Sequence, residues 1–548
     1  MTTFDFIIIG GGSAGCVLAE RLSACGQYQV CLLEAGPKDS SNNIHVPLGV
    51  INLMRSKTLN WQYNSHAETS QNQRQIFNPR GKTLGGSSSI NAMLYVRGQK
   101  EDYDHWAALG NDLWSFDQVL PYFKSTQFQE RGASEFHGTD GQLNVADSRS
   151  KLPVFDDFIQ SAQHAGFKAN DDFNGADQEG VGYYQLTQKD GRRFSAAKGF
   201  LTPNLDRPNL TVLTDVSVTK LIIDNKKVTG VYYLEKSLEK SREKGNENSQ
   251  LKQLHARREV LLSAGAFNSP QLLMLSGIGP KDELAKHGIP LAHELPGVGQ
   301  NLQDHVDVMV VTKHQRNDLL ALRPKAAWWA VKDAMKFFGG KRGVLTSPVA
   351  EAGGFIKSEP QLTRPDLQLH FIPAAMDDHG RNFKMLTNYA VSLHICLLRP
   401  KSRGSVTLYD KEIDSNPKIQ LNMLAEADDR QTMIKGVRLA REILAQPPLA
   451  DKNGDEIFPG ENCQSDEAIV EFLKEKCNTI YHPVGTCKMG NDDMAVVDQS
   501  LKVHGMEQLR VIDASVMPTL ISGNTNAPTI MIAAKAADMI LNEHARAN

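Results

Sequence analysis

A surplus of charge of either sign is missing from this chain. Sixty Lys and Arg residues oppose 63 Asp and Glu, for a formal net charge of −3. Nucleic-acid binders present a basic face that this balance does not supply, so no such partner is expected. Cysteine is sparse as well. The seven copies, Cys16, Cys25, Cys31, Cys396, Cys463, Cys477 and Cys487, are odd in number and never spaced C-x-x-C. That pattern argues against a disulfide framework and a zinc knuckle, gives no metal site to expect, and fits a reducing, cytoplasmic compartment. Long apolar runs are also lacking. The long uncharged stretch 261–280 holds Asn268, Gln271, three glycines and two prolines, so it does not read as a membrane-spanning helix. The opening MTTFDF has no basic stretch, so no secretory leader is expected. What remains is 548 residues, 41% hydrophobic and 22% charged. This is the composition of a soluble globular chain, at a length that predicts roughly two to four domains.

The first residues carry the strongest local signal. FDFIII at 4–9 is a short apolar run suited to a buried parallel strand, and CVLAERLSA at 16–24 has helical periodicity. Between them lies GGGSAG, with G-x-G-x-x-G at Gly10, Gly12 and Gly15. A second apolar strand, 29–33, ends at Glu34. Strand, glycine turn, helix, strand and acid together predict dinucleotide binding. Gly10 permits the tight turn, Gly12 lets backbone approach a pyrophosphate, and Gly15 lets helix pack on strand. The helix N-terminus offers N–H groups to phosphate, and Glu34 can accept both hydroxyl protons of a ribose. The same residues spell G-x-S-x-G, the nucleophile elbow of hydrolases. That elbow needs an oxyanion donor from an earlier strand–helix loop, and nothing precedes residue 10 to provide one.

Further along, 217–233 predicts two strands joined by a polar Asp-Asn-Lys-Lys turn, and 235–258 predicts a charged, solvated loop. REVLLSAGA then reads as a strand, FNSPQLLMLSGIG as a helix start, LRVID as a strand and TNAPTIMIAAKAADMI as a long helix.

Five blocks then fall in one family's order: the glycine turn, GKTLGGSSSINAMLYVRG at 81–98, GAFNSPQLLMLSGIG at 265–279, YHPVGTCKMG at 481–490 and VIDASVMPTLISGNTNAPTIMIAAKAAD at 511–538. On these the chain resembles the glucose–methanol–choline (GMC) flavin oxidoreductases over essentially its whole length. Within the family it looks most like the choline-dehydrogenase-like branch and the membrane-associated aliphatic alcohol dehydrogenases. The resemblance implies an α/β fold with a discontinuous FAD-binding Rossmann-like domain (1–45, 76–105, 205–300 and 495–548). A second lobe, α+β with an antiparallel sheet (46–75, 106–204 and 301–494), would bind substrate and cover the FAD. By the same likeness Gly10, Gly12, Ser13, Gly15 and Glu34 hold the ADP half and Val218 the adenine. Gly85, Gly86, Asn91, Ala92 and Met93 lie along the flavin, and Asp513 and Ala514 meet the ribityl and pyrophosphate region. Where some relatives tether FAD through a histidine this chain has Ile90, so non-covalent FAD is expected.

The likeness also marks His482 as the catalytic base and Asn526 as its partner in primary-alcohol oxidation. Three weaker candidates accompany them: Glu351, matching a carboxylate that faces a cationic head in choline-oxidising relatives; Tyr481, a pocket wall; and Cys487, expected to be a packed thiol. The electron acceptor is expected to be quinone or another non-oxygen species. Choline dehydrogenation, oxidation with oxygen and an FAD-containing hydroxynitrile lyase remain the rivals; chain length, stereochemistry and oligomeric state stay open. Finally, KAAWWAVKDAMKFFGGKR at 325–342 places Trp328, Val331, Met335 and Phe338 on one helical face. Lys332, Lys336, Lys341 and Arg342 lie beside it. Such a face fits either peripheral contact with the cytoplasmic side of the inner membrane or packing over the second lobe.

Overall fold

The computed structural model describes residues 2–235 and 251–546. Two seven-stranded sheets organise it. The first runs in the order Leu210–Leu213, Val30–Leu33, Thr3–Ile9, Lys252–Leu262, Lys227–Glu235, Val216–Asp224, with Leu509–Val511 beside the end of Lys252–Leu262. Phe6, Ile7 and Ile8 are fully buried, as a strand covered on both faces requires. They pair in parallel with Val30, Cys31 and Leu32 on one side and with Glu259, Val260 and Leu261 on the other. The strands over 216–224 and 227–235 form a hairpin turned by Asn225 and Lys226, both at positive φ (47° and 66°), the two-residue turn that suits strand twist.

The charged run at 235–258 departs from expectation. Residues 236–250 lie outside the described residues, but Lys252–Leu262 is one eleven-residue strand. Its first half pairs antiparallel with the hairpin, Gly230 to His255 and Tyr233 to Lys252. Backbone pairing is satisfied there while Lys252, Gln253 and Arg257 face water, so polar side chains did not preclude a strand here.

The second sheet is antiparallel throughout. Its order is Asn453–Phe458, Val306–His314, Ala390–Leu397, Leu367–Ile372, Ala352–Ile356, Gly180–Tyr183. A short strand, Asn478–Thr479, pairs with Val306 and Asp307. The helices Pro153–His164 and Ala427–Leu444 share a buried apolar cluster with this sheet. Its other side carries Asp307, Met309, His370, Ile372 and His394 to the wall of a cavity. No helix among the described residues is long and apolar enough to cross a membrane.

The last helix, Asn526–Arg546, packs on Ser13–Ala24 and is fastened to the first sheet through Arg510. This guanidinium is buried and donates to both Glu259 oxygens (2.6 and 3.1 Å) and to Glu543 on the helix (2.6 Å); His544 meets Glu259 at 2.8 Å. Burial pushes the Glu259 carboxyl up, but hydrogen bonds from His544 and Arg510 outweigh it and hold it down at about 2. Glu259→Gln leaves the buried guanidinium with one of its two carboxylates, Glu543, and is expected to lower unfolding free energy by about 3 kcal/mol in urea titrations, the worth of the lowered Glu259 pKa. The difference from wild type should be full above the free carboxyl value of 4.5 and vanish as pH falls towards 2.

Candidate active site

A cavity of about 890 Å³ opens between the two sheets. The dinucleotide turn forms one end of it. Gly10 sits at φ +100°, and a Cβ there would meet the Ser263 oxygen at 2.5 Å. A Cβ on Gly15 would strike the Gly10 carbonyl oxygen at 1.9 Å, so only glycine lets this helix lie so close to its strand. Gly12 differs: nothing stands within 4 Å of its missing Cβ, and the residue faces the cavity. The helix that begins at Ser13 has no side-chain cap, which leaves its first N–H groups directed into that space. Glu34 accepts from Gly11 and Gly36 N–H (both 2.8 Å). Burial nevertheless lifts its carboxyl to about 7.

The other expected cofactor contacts divide. Gly86, Asn91, Ala92, Met93, Val218 and Ala514 line the cavity. Gly85 does not; it stands behind the wall at φ +84°, donating to the Gly11 carbonyl (2.7 Å) and locking this segment to the glycine turn. Asp513 lines the cavity, but its carboxylate is occupied. Oδ2 accepts from Gly265 N–H and Ser269 Oγ, and Oδ1 from Ser515 N–H and Oγ. That carboxylate ties its own turn to the start of the helix Gly265–Leu275 rather than standing free for sugar hydroxyls, which corrects the role expected of it. Ile90 packs with Ile44 and Leu53.

At the other end stands His482. Its backbone N–H donates to Asp304 Oδ1 (2.9 Å), and Arg80 donates to the preceding Tyr481 carbonyl (3.0 Å). Tyr481 itself is held at φ 73°, a strained value for a non-glycine residue, with its hydroxyl on His379 Nδ1 (2.5 Å). The imidazole of His482 touches two groups. His305 Nδ1 lies 2.9 Å from its Nδ1, the Asn524 amide nitrogen lies 3.1 Å from its Nε2, and the two histidine rings meet edge to face. Burial, followed by the nearby His305, His370 and Arg80, drives the His482 pKa well below its ordinary value, so the ring is neutral at pH 7.

The amide that meets His482 is therefore that of Asn524 and not of Asn526, where the family likeness had put it. Asn526 is the first residue of the last helix, and its Oδ1 accepts from Ser13 Oγ (2.7 Å), bringing two helix N-termini to one point of the cavity wall. The pair N-T-N offers two asparagines; a helix start at the second, with Pro528 two residues on, was the signal that separates them. Glu351 is a second correction. It is fully buried and accepts from Ser148 and Ser150, while its neighbours Val349 and Ala350, not Glu351, line the cavity. Tyr481 is on the wall. Cys487 is buried in the core of the first lobe, its thiol pushed up by burial. Sequence reasoning missed Asp304, His305, Asp307, Gln368, His370 and His394, which lie on strands or loops without a local motif.

Two family models, both described as GMC oxidoreductase, match residues 4–307 and 400–533. The chain belongs to the GMC oxidoreductase family. It is 46% identical over 541 residues to the alcohol dehydrogenase [acceptor] of Pseudomonas putida, covering 98% of this chain and 96% of the relative. An oxygen-dependent choline dehydrogenase of Escherichia coli K12 is 40% identical, covering 99% and 96%. Among solved structures, a variant formate oxidase of Aspergillus oryzae RIB40, studied for FAD modification, superposes with a TM-score of 0.88 at 29% identity. It covers 100% of this chain and 99% of that one.

The cofactor of this GMC oxidoreductase is FAD, and the residues present suit it. Gly12 leaves room where a side chain would stand, two helix N-termini converge beside it, and each Glu34 oxygen keeps a lone pair for a ribose hydroxyl. Gly12→Ala is expected to fold with near wild-type thermal stability as apoprotein yet retain less FAD. Gly15→Ala should lose both stability and flavin. Calorimetry of apoprotein and flavin absorbance of purified protein distinguish the two outcomes.

Proposed function

We propose that this GMC oxidoreductase oxidises a neutral primary alcohol to the aldehyde and passes the electrons to quinone or another non-oxygen acceptor. The observation that carries the reading is a buried, neutral His482 whose Nε2 faces the Asn524 amide on the cavity wall. An alcohol hydroxyl entering between them can donate its proton to Nε2 and accept from the amide. Transfer from an alcohol near ~15.7 to an ordinary histidine near ~6.5 costs about 12 kcal/mol if completed alone, and more to His482, whose pKa burial depresses. Asn524 lowers that barrier by hydrogen bonding to the developing alkoxide, and His482 acts as general base. FAD, when bound, supplies the acceptor for the hydride leaving the carbinol carbon. Ile90, apolar and packed, offers no nucleophile for a covalent link, so the cofactor is held non-covalently. On this reading the first sheet and its segments, 1–45, 76–105, 205–300 and 495–548, form the FAD domain, and 46–75, 106–204 and 301–494 the substrate lobe.

The rest of the cavity argues for the alcohol's chemistry. Leu319, Leu320, Ala326, Ala330, Val349 and Ile372 give it apolar walls, and Glu351 is turned away. A medium-chain aliphatic or aromatic alcohol suits such walls. Choline is the second reading, favoured by one observation: Asp307, on the same wall, keeps Oδ1 unpartnered while Oδ2 meets His394 Nδ1 at 2.7 Å.

The helix Pro324–Gly340 supports the choice of acceptor. Ala326, Ala327 and Ala330 line the cavity. Trp328, Val331, Met335 and Phe338, the face singled out in the sequence, are 62–79% exposed. An apolar face left in water beside Lys325, Lys332 and Lys341 fits the surface of an anionic membrane, where a quinone is dissolved.

Two predictions test these assignments. His482→Ala should slow flavin reduction by an alcohol about 10²–10⁴-fold with FAD content unchanged, and Asn524→Ala should slow it while Asn526→Ala has less effect on the chemical step. Because burial lowers the His482 pKa, reduction should stay constant as pH falls through 6.5 and decline only at lower pH. An anaerobic panel of alcohols followed at the flavin absorbance measures both and ranks choline against neutral substrates. Acid precipitation should release intact FAD. Second, wild type should float with anionic liposomes and its flavin should re-oxidise faster with a short-chain quinone than with air. Trp328→Ser combined with Phe338→Ser should abolish flotation. Failure to float together with fastest re-oxidation by air would identify a soluble oxidase.

A further inference from the structure

His482 can act as a base only through a nitrogen that carries no proton, and the isolated imidazole prefers the wrong arrangement. Free histidine favours hydrogen on Nε2, the nitrogen that faces Asn524 here. Which nitrogen is protonated in a protein depends on the hydrogen bond made by the other. Two chains of hydrogen bonds reach this ring from opposite sides, and each ends on a backbone carbonyl, a group that can only accept.

The first chain passes through His305. Its Nε2 lies 3.0 Å from the Leu398 carbonyl oxygen, so the hydrogen must sit on that nitrogen. His305 is fully buried, and burial depresses its pKa to about 3, so it carries a single ring proton. Its Nδ1 is therefore a bare acceptor. The only hydrogen available for the 2.9 Å contact between the two Nδ1 atoms belongs to His482.

The second chain starts at Tyr184. This hydroxyl donates to the Leu369 carbonyl (2.6 Å) and accepts from Gly354 N–H and from the Gln368 amide (3.2 and 3.3 Å). The same Gln368 nitrogen donates to Asn524 Oδ1 (3.2 Å). With its oxygen engaged there, Asn524 must turn its nitrogen to His482, and Nε2 must accept. Reversing every bond would set a lone pair of His305 against the Leu398 oxygen. It would also set the Gln368 oxygen against a tyrosine oxygen whose hydrogen already points elsewhere. Both ends forbid it.

We infer that His305, and from the other side Gln368 with Tyr184, are positioning residues that hold His482 as the Nδ1–H tautomer, with Nε2 bare towards the cavity. The inference rests on the proposed role of His482 for its consequence in catalysis, but the tautomer itself is a property of the chain. Asp304, which holds the His482 backbone and Thr479, fixes the height of the ring, and the other ionisable groups around it are His370 and Arg80. No proton needs to leave His305 for the relay to work. Its function is to accept from Nδ1 and, as Nε2 becomes protonated, to stabilise the imidazolium that forms.

The test uses FAD-loaded protein labelled with ¹⁵N in histidine, with the His482 resonances assigned by their loss in His482→Gln. Wild type should show a protonated Nδ1 and an unprotonated Nε2 at neutral pH. In His305→Leu only the Asn524 side still opposes it, so part of the proton population should shift to Nε2. With no acceptor left for Nδ1–H as the imidazolium forms, the limiting rate of flavin reduction should fall about tenfold or more, with FAD content and KM unchanged. His305→Asn, whose carbonyl can take the place of Nδ1 as acceptor, should restore the Nδ1–H tautomer and bring the rate back towards wild type. Protonated Nε2 in wild type overturns the inference whatever the variants do. Unchanged reduction in His305→Leu, with FAD bound, overturns it too. A wild-type spectrum with bare Nε2 in a protein that no alcohol reduces supports the tautomer and refutes alcohol oxidation, so the two readings fail separately.

Discussion

Exclusion of water from one imidazole governs the geometry of the candidate site. His482 lies where an imidazolium would be poorly solvated, so the ring stays neutral and its single proton must be placed by neighbours rather than by solvent. That demand explains how many polar groups lie buried around it: His305, Gln368, Tyr184 and Asp304 are all almost completely shielded. In a low-dielectric setting a mispaired polar group is expensive, and a chain of well-paired ones is correspondingly rigid. The strained backbone at Tyr481 is part of the same arrangement. Thr479 Oγ1 takes its N–H at 2.7 Å and Arg80 its carbonyl, so the turn that delivers His482 is held at both ends.

The two sheets contribute different kinds of precision. The first, largely parallel, supplies loops at its strand ends, where Gly10–Gly15, Glu34 and the turn after Val511 converge, as ligand sites of open α/β sheets do. The second, antiparallel, supplies a flat wall in which Asp307, His370 and His394 are set by strand register, His370 directly opposite His394. The bond from Ser13 to Asn526 joins the helix that follows the first strand to the last helix of the chain, 513 residues apart. The Arg510 cluster fastens the far end of that last helix to the sheet.

The helix over 324–340 shows how one element can serve two environments. Ala326, Ala327 and Ala330 face the cavity and Phe337 and Trp329 pack inward, while Trp328, Val331, Met335 and Phe338 face outward. That division is visible only when both faces are known. From the sequence the same periodic face fitted packing against the second lobe equally well.

The glycine turn, the buried strands, the hairpin and the family blocks were legible because each rests on local constraints: a positive φ, a period of two, a short spacing. Gly10, Gly12 and Gly15 stand as their individual physical roles require. Where several residues of suitable chemistry lie close together, local pattern could not choose between them. Asn524 and Asn526 differ by two positions, and helix initiation at the second gave the first to His482. Glu351 has the right charge for a pocket, but the start of its strand turns it into a nest of serines. Asp513 has the right type for a sugar, but tertiary contacts fill its lone pairs. Family and cofactor were thus determined by the sequence itself. The amide that meets His482 and the outward face of the 324–340 helix were decided only in three dimensions. Hydrogen-bond direction and burial depend on groups brought together from distant parts of the chain, and no local spacing encodes them.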